Sequence, residues 1–242
     1  MRDFFSAIRF ITILPWGRAG SFDPPRMIPY FPIVGVALGL LLALFDYVAL
    51  RLWGKPAGSL LDVVFLAVLT GAFHIDGLGD AADGLLGQRS KEKILAIMKD
   101  SRLGTMGLVA IVFGLSMKWV GIAGLDSGRS VLLIIVPAYA RASMLFGIRY
   151  LKYGRPEGGT GLDFFNDPIQ PTAFWGLSVP VLLSFLLGWK MIWLNLCFAA
   201  LTAGLIKYYK NRVGCITGDM LGAMTEVIEA ALFLTASIGG AQ

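Results

Sequence analysis

The chain has 242 residues, of which 56% are hydrophobic and 15% are charged, and its formal net charge at pH 7 is +5. Soluble domains carry about 25% charged residues, so this composition, with a mean hydropathy of +0.71, excludes an ordinary soluble globular protein. Long unbroken apolar runs also differ from the alternating segments of about ten residues that build a membrane barrel. The sequence therefore predicts a polytopic, all-α membrane protein.

The N-terminal segment "MRDFFSAIRFITILPWG" predicts a short amphipathic helix that ends before Pro15. Arg9 interrupts its apolar stretch and no small-residue cleavage site follows, so the segment does not resemble a signal peptide. Two interpretations stay open: an interfacial helix lying in the membrane surface, or a helix packed on the bundle. The apolar face contains Phe4, Phe5, Ile8 and Ile11.

Seven apolar runs are each close to the roughly 20 residues that cross a bilayer. They cover residues 31–50, 60–76, 105–124, 131–150, 173–188, 190–208 and 219–238. The fifth and sixth runs are separated by about one residue, so they form a tight hairpin or are broken differently. Because no internal repeat or Gly/Ser linker divides the chain, we predict one domain, 1–242, of about seven spans.

Positive charge is distributed unevenly between the loops that join these runs. The N-terminal segment and the loops after the second, fourth and sixth runs hold 15 Lys and Arg residues, whereas the other side holds four. Since cytoplasmic loops are enriched in Lys and Arg, this ratio places the N-terminus and these polar loops in the cytoplasm.

Three aspartates follow the second apolar run in "HIDGLGDAADGLLG", residues 74–87. Asp76, Asp80 and Asp83 are spaced i, i+4 and i+7, which puts them on one helical face. Three carboxylates near a low dielectric repel each other unless a cation holds them, and oxygen ligands favour a hard ion such as Mg²⁺. A solvated helix end and a proton or ion pathway remain alternatives. His74 lies off this face, where a packed residue is the favoured interpretation.

Basic residues come next, in "SKEKILAIMKDSRLGTMG", residues 90–107. Ser90 is placed to cap a short helix on the membrane surface. Lys99 and Arg102 lie close in sequence to the acidic helix, and basic groups beside a metal site suit phosphate. The alternative is that they only anchor a cytoplasmic loop.

The last run opens with "TGDMLGAMTEVIE", in which Asp219 and Glu226 share one helical face at i and i+7. Asp219 starts on the same side of the membrane as the three aspartates, so the two acidic faces are predicted to share a metal site. Arg141 and Lys118, inside other runs, are candidates for phosphate ligands or for partners of the buried acids. Asp46 is interpreted as structural.

Neither a phosphate-binding P-loop nor a Ser or Cys nucleophile beside a histidine occurs. Acids, a hard metal and basic residues in a membrane setting indicate transfer of a phosphate-linked group. Four segments then carry a family resemblance. "YFPIVG", "HIDGLGDAADGLLG", "IMKDSRLGTMG" and "TGDMLGAMTE" resemble, in order, blocks of the cobalamin-5′-phosphate synthase (adenosylcobinamide-GDP ribazoletransferase) family.

The resemblance implies that adenosylcobinamide-GDP is joined to α-ribazole or its 5′-phosphate with release of GMP, in a prokaryotic inner membrane. It implies Mg²⁺, with Mn²⁺ as a substitute, and no nucleic-acid partner; homo-oligomer formation is left open. Catalytic roles fall on Asp76, Asp80 and Asp83, and metal binding on these three with Asp219 and Glu226. Substrate binding is predicted for Lys99, Asp100, Arg102 and Arg141.

Two other functions compete with this interpretation. "D-x-x-D-G" at 80–84 is distantly reminiscent of CDP-alcohol phosphotransferases, but the second half of their motif is missing here. A cation or proton transporter would use the same acids as a pathway. Transporter acids are expected near the membrane midplane, so the depth of the aspartates separates the two classes.

Overall fold

The computed structural model describes residues 2–18, 22–155, 157–159 and 161–238. These residues form helices, which confirms the predicted all-α class, and their only β-type contact is a parallel bridge between Tyr153 and Ile216. The α-helices are α1 (Arg2–Ile11), α2 (Pro24–Met27), α3 (Phe31–Leu52), α4 (Lys55–Leu69), α5 (Phe73–Leu85), α6 (Lys91–Met98), α7 (Thr105–Ala123), α8 (Arg129–Tyr150), α9 (Ser178–Ser184), α10 (Lys190–Arg212) and α11 (Gly218–Ala236). Short 3-10 turns lie at Ile28–Tyr30, Leu162–Phe165, Pro171–Leu177 and Phe185–Leu187.

Four helical segments of the described chain are long and apolar enough to cross a membrane: Pro24–Leu52, α7, α8 and α10. Helices α4 and α5 meet the same criterion only as a pair that is bent by 91° at its break, which raises the count to at most five. The predicted number of seven spans is therefore not confirmed.

The difference has local causes. The run 60–76 is divided by a turn in which Gly71 and Ala72 have φ angles of 59° and 56°, a left-handed conformation that a continuing α-helix excludes. The run 173–188 forms only short helical pieces within Pro171–Leu187. The last run does form a 19-residue helix, α11, but three acidic residues interrupt its apolar character.

Helix α8 lies at the centre of the bundle, with most of its side chains buried. It packs along α3 in an antiparallel sense, because Gly35 faces Ala138 and Gly39 faces Ile134 so closely that a Cβ atom at either glycine would overlap the backbone of α8. Helix α11 packs on α5, α7 and α8. This core holds α5 and α11 side by side, which brings two of the predicted acidic segments together.

A buried polar cluster joins α4 to the C-terminal part of α3 and to the first residue of α8. The Arg129 guanidinium lies 2.6 Å from Asp46 and 3.1 Å from Asp62, and it donates to the Ser59 hydroxyl at 3.0 Å. Pairing compensates the desolvation of these charges. Asp46 thus has the structural role that its position predicts.

The N-terminal segment forms the predicted amphipathic helix, which ends at Ile11, before Pro15. Ile8 and Ile11 are buried, whereas Arg9 is exposed. Helix α1 contacts α2 and α3, so its apolar face is covered by the bundle.

Candidate functional site

The bend after α4 presents the acidic face of α5. Helix α5 starts at Phe73, directly after the left-handed turn, and most of its non-acidic residues are buried. Asp76 is exposed and Asp80 and Asp83 are partly exposed. The accessible side of α5 is therefore the carboxylate face that the i, i+4, i+7 spacing predicts.

Two glycines bring α11 against α5. A Cβ atom on Gly77 would lie 2.7 Å from the backbone oxygen of Asp219, and one on Gly222 would lie 3.3 Å from the Cα atom of His74. Thr217 caps α11 by accepting a hydrogen bond from Met220 at 3.3 Å. The sequence predicts that the two acidic segments share a site because both start on the same side of the membrane, and the structure shows which residues meet: Asp219 lies against Gly77 of α5.

Electrostatic interactions follow from this contact. The Asp80 carboxylate experiences the negative charges of Asp219, Asp76 and Asp83 and the positive charge of Arg155. Within the described residues, no hydrogen-bonding side chain or backbone N–H holds the Asp80 carboxylate. Asp80 is thus the central member of the acidic group and remains available for a ligand.

Asp83 differs from Asp80, although both lie on one face of α5. Its two oxygens accept hydrogen bonds from the backbone N–H groups of Gly104, at 2.7 Å, and Gly107, at 2.9 Å. These are N–H groups at the start of α7, which lack partners within their own helix. Asp83 therefore joins α5 to α7, and its catalytic and metal-binding role stays a prediction.

Arg155 is a site residue that the sequence analysis counted only as a loop charge. Its guanidinium donates to the Asp219 carboxylate at 2.5 Å. Backbone pairing fixes the loop, since Gly154 donates to Ile216 at 2.8 Å and Ile216 donates to Lys152 at 2.9 Å. In the sequence, only the polar character of the loop indicated a functional role for Arg155. Its position depends on pairing with Ile216, a residue about 60 positions further along the chain.

The predicted phosphate-binding residues lie in the segment between α6 and α7, which contacts α5 near its C-terminal end. Ser90 caps α6 as predicted, by accepting from Lys93, and the chain then runs through Lys99 and Arg102 to Gly104, which contacts Asp83. Asp100 forms an exposed ion pair with Arg102 at 2.5 Å. The hydrogen bonds from Arg102 lower the pKa of Asp100 to about 2, so this pair is charged at neutral pH.

Arg141 and Glu226 lie deeper in the bundle, away from this group. Glu226 follows Asp219 by seven residues, about 10 Å along the helix axis. The Lys118 ammonium is 2.6 Å from both Glu226 and Glu229, and Arg141 pairs with Glu229 in the same buried cluster. The structure does not bring Arg141 or Glu226 to the α5 face, and their roles in substrate and metal binding stay predictions.

His74 is buried beside this cluster, at 1% exposure. Neither of its ring nitrogens has a hydrogen-bond partner among the described residues. This placement agrees with the packed histidine that the sequence favours.

The donor set of the acidic group suits a hard divalent cation, although its side chains do not surround one point. No three His, Cys, Asp or Glu side chains in the described ranges converge as a metal site. Asp76, Asp80 and Asp219 nevertheless supply only carboxylate oxygens, which Mg²⁺ and Mn²⁺ prefer. The Arg155 guanidinium already pairs with Asp219, which shows that the group attracts positive charge.

Fold and site together define a helical protein with membrane-length apolar segments and a group of acidic side chains where α5 meets α11. The sequence matches the cobalamin-5-phosphate synthase family over residues 3–237, and the chain belongs to this family. Among its curated relatives, an "adenosylcobinamide-GDP ribazoletransferase" of Geotalea daltonii is 32% identical and covers 99% of both chains. One of Chlorobium chlorochromatii is 37% identical over 96% of this chain and 94% of the relative. No solved structure matches the chain.

Proposed function

We propose that this protein joins adenosylcobinamide-GDP to α-ribazole or α-ribazole 5′-phosphate and releases GMP. One observation carries the proposal: Asp219 lies against the acidic face of α5 in a chain that matches the family over residues 3–237. The curated relatives are named for this transfer. Contacts join three of the four sequence blocks of the resemblance, since Asp83 accepts from Gly104 and Gly77 lies against Asp219.

In the proposed reaction, a hydroxyl group of the ribazole attacks the phosphorus atom that carries the cobinamide. A new P–O bond forms, the bond from this phosphorus to the bridging oxygen of the diphosphate breaks, and GMP leaves with the electron pair. A carboxylate of the acidic face accepts the hydroxyl proton. We assign this task to Asp80, because the described chain leaves its carboxylate without a hydrogen bond.

We further propose that Mg²⁺, or Mn²⁺ in its place, is needed. Asp76, Asp80 and Asp219 would hold the cation, and the cation would supply positive charge to the diphosphate and the leaving phosphate. Lys99 and Arg102, at the end of α5 where α7 begins, would contact the phosphate oxygens.

The large substrates enter, in this proposal, from the end of the bundle where α8 ends and α11 begins. A groove of about 560 Å³ lies between residues 25–29 and 167–175, at the end of α3 that packs beside the C-terminal end of α8. The charge asymmetry of the loops supports a multi-pass protein of the prokaryotic cell (inner) membrane, with this end in the cytoplasm.

The transporter alternative has weaker support. The two acids deepest in α11, Glu226 and Glu229, are buried against Lys118 and Arg141. A neutralised, closed ion-pair cluster offers no open path for an ion. The acids that stay accessible lie along one face of α5 instead.

The direct test is an assay of purified membranes that contain the protein. Adenosylcobinamide-GDP, α-ribazole 5′-phosphate and Mg²⁺ are supplied, and GMP and the cobalamin phosphate are measured with and without EDTA. We expect equal amounts of both products and loss of both in EDTA. GMP release without the second product, or no reaction by folded protein, would contradict the proposal.

Asp80→Asn isolates the acidic group within this assay. We expect a decrease in turnover of about a hundredfold or more, since the variant loses a proton acceptor and a cation ligand. Asp126→Asn, which removes an exposed acid paired with Lys55, is the matched control and is expected to keep wild-type turnover. More than about a tenth of the activity in Asp80→Asn would remove Asp80 from the mechanism.

A further inference from the structure

Arg155 forms the one ion pair of the described chain that reaches into the acidic group, and the proposed reaction does not yet use it. Its guanidinium is 2.5 Å from the Asp219 carboxylate, and both side chains are about one-fifth exposed. The Nε atom of Arg155 is buried and has no hydrogen-bond partner among the described residues. Part of the donor capacity of the guanidinium is therefore unused in this state.

The backbone around Arg155 is held more firmly than its side chain. Pairing of residues 152–154 with Ile216 fixes the loop beside the start of α11, since Ile216 directly precedes the Thr217 cap. Phe164, further along the same loop, packs against Phe10 of α1 at a ring-centroid distance of 4.9 Å. Rotation of the side chain can thus move the guanidinium away from Asp219 without unfolding the loop.

The position of this charge is that of a substitute cation. Asp219, Asp76 and Asp80 repel each other, and the Arg155 charge opposes that repulsion at both Asp219 and Asp80. A guanidinium cannot lose its proton in a protein. Because Arg155 holds the Oδ2 atom of Asp219, a divalent cation that takes this oxygen must displace Arg155 rather than neutralise it.

We propose that Arg155 is an exchangeable counter-ion. In the cation-free protein it binds Asp219 and competes with the divalent cation. When a divalent cation and a nucleoside diphosphate group bind together, the guanidinium leaves Asp219 and binds the phosphate oxygens in a bidentate manner. The identity of the diphosphate ligand rests on the proposed function, but the exchange itself does not require catalysis.

This exchange has a thermodynamic signature. When the cation binds alone, it displaces the guanidinium of Arg155, which then has no new partner. When the diphosphate is also bound, its phosphate oxygens provide that partner. Cation and diphosphate therefore strengthen the binding of each other, by the same factor in both directions. Removal of Arg155 is expected to strengthen binding of the cation alone and to reduce the coupling to the part that direct contact between cation and diphosphate provides.

The experiment measures Mn²⁺ binding to the purified full-length protein by the EPR signal of free Mn²⁺, with and without saturating GDP, and a titration of Mn²⁺ with GDP in the absence of protein is used to subtract the Mn²⁺ that GDP binds in solution. For the wild type we expect GDP to raise the Mn²⁺ affinity about fivefold or more. For Arg155→Gln we expect Mn²⁺ alone to bind about fivefold more tightly than in the wild type, and GDP to raise the Mn²⁺ affinity by a smaller factor than in the wild type. Lys152→Gln removes an exposed charge from the same loop and should behave as the wild type.

Tighter cation binding is a result that a purely structural role of Arg155 does not produce. Unchanged or weaker Mn²⁺ binding by folded Arg155→Gln, or coupling equal to that of the wild type, would overturn the proposal, as would no Mn²⁺ binding by the wild type. If Arg155→Gln is not monodisperse, Arg155→Lys is measured in its place. Mn²⁺ affinity like that of the wild type without GDP, together with a smaller effect of GDP, supports the exchange. An effect of GDP equal to that in the wild type overturns it.

No corrinoid is present in this experiment, so it is independent of the transferase assay. Coupling that depends on Arg155, in a protein without ribazole transfer, would keep the counter-ion role and reject the proposed function. Ribazole transfer by a protein whose Mn²⁺ binding does not depend on Arg155 would keep the proposed function and reject the counter-ion role.

Discussion

At the scale of single residues, Asp80 and Asp83 show how neighbouring carboxylates acquire different surroundings. They lie on one face of α5, less than one turn apart. Asp83 accepts two backbone hydrogen bonds from the start of α7, whereas Asp80 faces Asp76 and Asp219. The free energy of unfolding should therefore depend on Asp83, and the reaction on Asp80.

Replacement of Asp83 tests this division. An amide at position 83 keeps one acceptor oxygen but turns an N–H₂ group toward a backbone donor. We expect Asp83→Asn to lower the free energy of unfolding in detergent by about 1–2 kcal/mol, the usual effect of losing a helix cap. Thermal unfolding of Asp80→Asn provides the comparison and should show no such loss. Equal unfolding temperatures for both variants would argue against the capping role.

At the scale of helices, the site depends on how closely α5 approaches α11. Gly77 and Gly222 lack the side chains that would keep these helices apart. The same device brings α7 to α11, because a Cβ atom on Gly121 would lie 2.6 Å from the backbone of Leu234. Small residues at crossing points are typical of helix packing in membranes.

Gly77→Ala tests whether this approach matters. The added methyl group has no space beside Asp219, so we expect the helices to separate and the protein to lose about 1–3 kcal/mol of stability, together with most of its transferase activity. Gly204→Ala in α10 is the control, since nothing lies within 4 Å of its Cβ position; it should be neutral or stabilising by up to about 1 kcal/mol. A fully active Gly77→Ala would show that the contact is not needed.

The buried cluster of α7, α8 and α11 is a second contact between helices, and it consists of charges. Lys118→Met would leave Glu226 without a partner and Glu229 with Arg141 alone. We expect a loss of about 3–5 kcal/mol, the typical cost of breaking a buried pair, and partial recovery in the double variant Lys118→Met/Glu226→Gln. Lys55→Met, in an exposed pair, should cost less than about 1 kcal/mol. Equal effects in unfolding titrations would contradict a structural role for the cluster.

At the scale of the whole molecule, orientation is a prediction that labelling can decide. Ser101 and Ser127 are both exposed. Ser101 precedes α7 and Ser127 follows it, so they lie at opposite ends of this helix. In a background without Cys197 and Cys215, we expect Ser127→Cys to react with an impermeant thiol reagent in intact cells. Ser101→Cys should react only in inverted vesicles, because positive charge keeps its loop in the cytoplasm. Labelling of Ser101→Cys from outside would reverse the topology.

The sequence by itself determined the helical class, the membrane-length apolar runs and the single acidic face of α5. These properties follow from composition and from the 3.6-residue period, which acts within one helix. The sequence overestimated the number of spans because hydropathy does not register a left-handed turn at residues 71–72 or the short pieces after Pro171.

Only the tertiary structure decided which faces meet. The contact of Asp219 with α5 depends on glycines that are far apart in the chain, and the position of Arg155 depends on pairing between residues 152–154 and Ile216. The pairing of Glu226 with Lys118 likewise joins separate helices. Contacts of this kind arise from the packing of one helix surface on another, and no periodicity within a single segment specifies them.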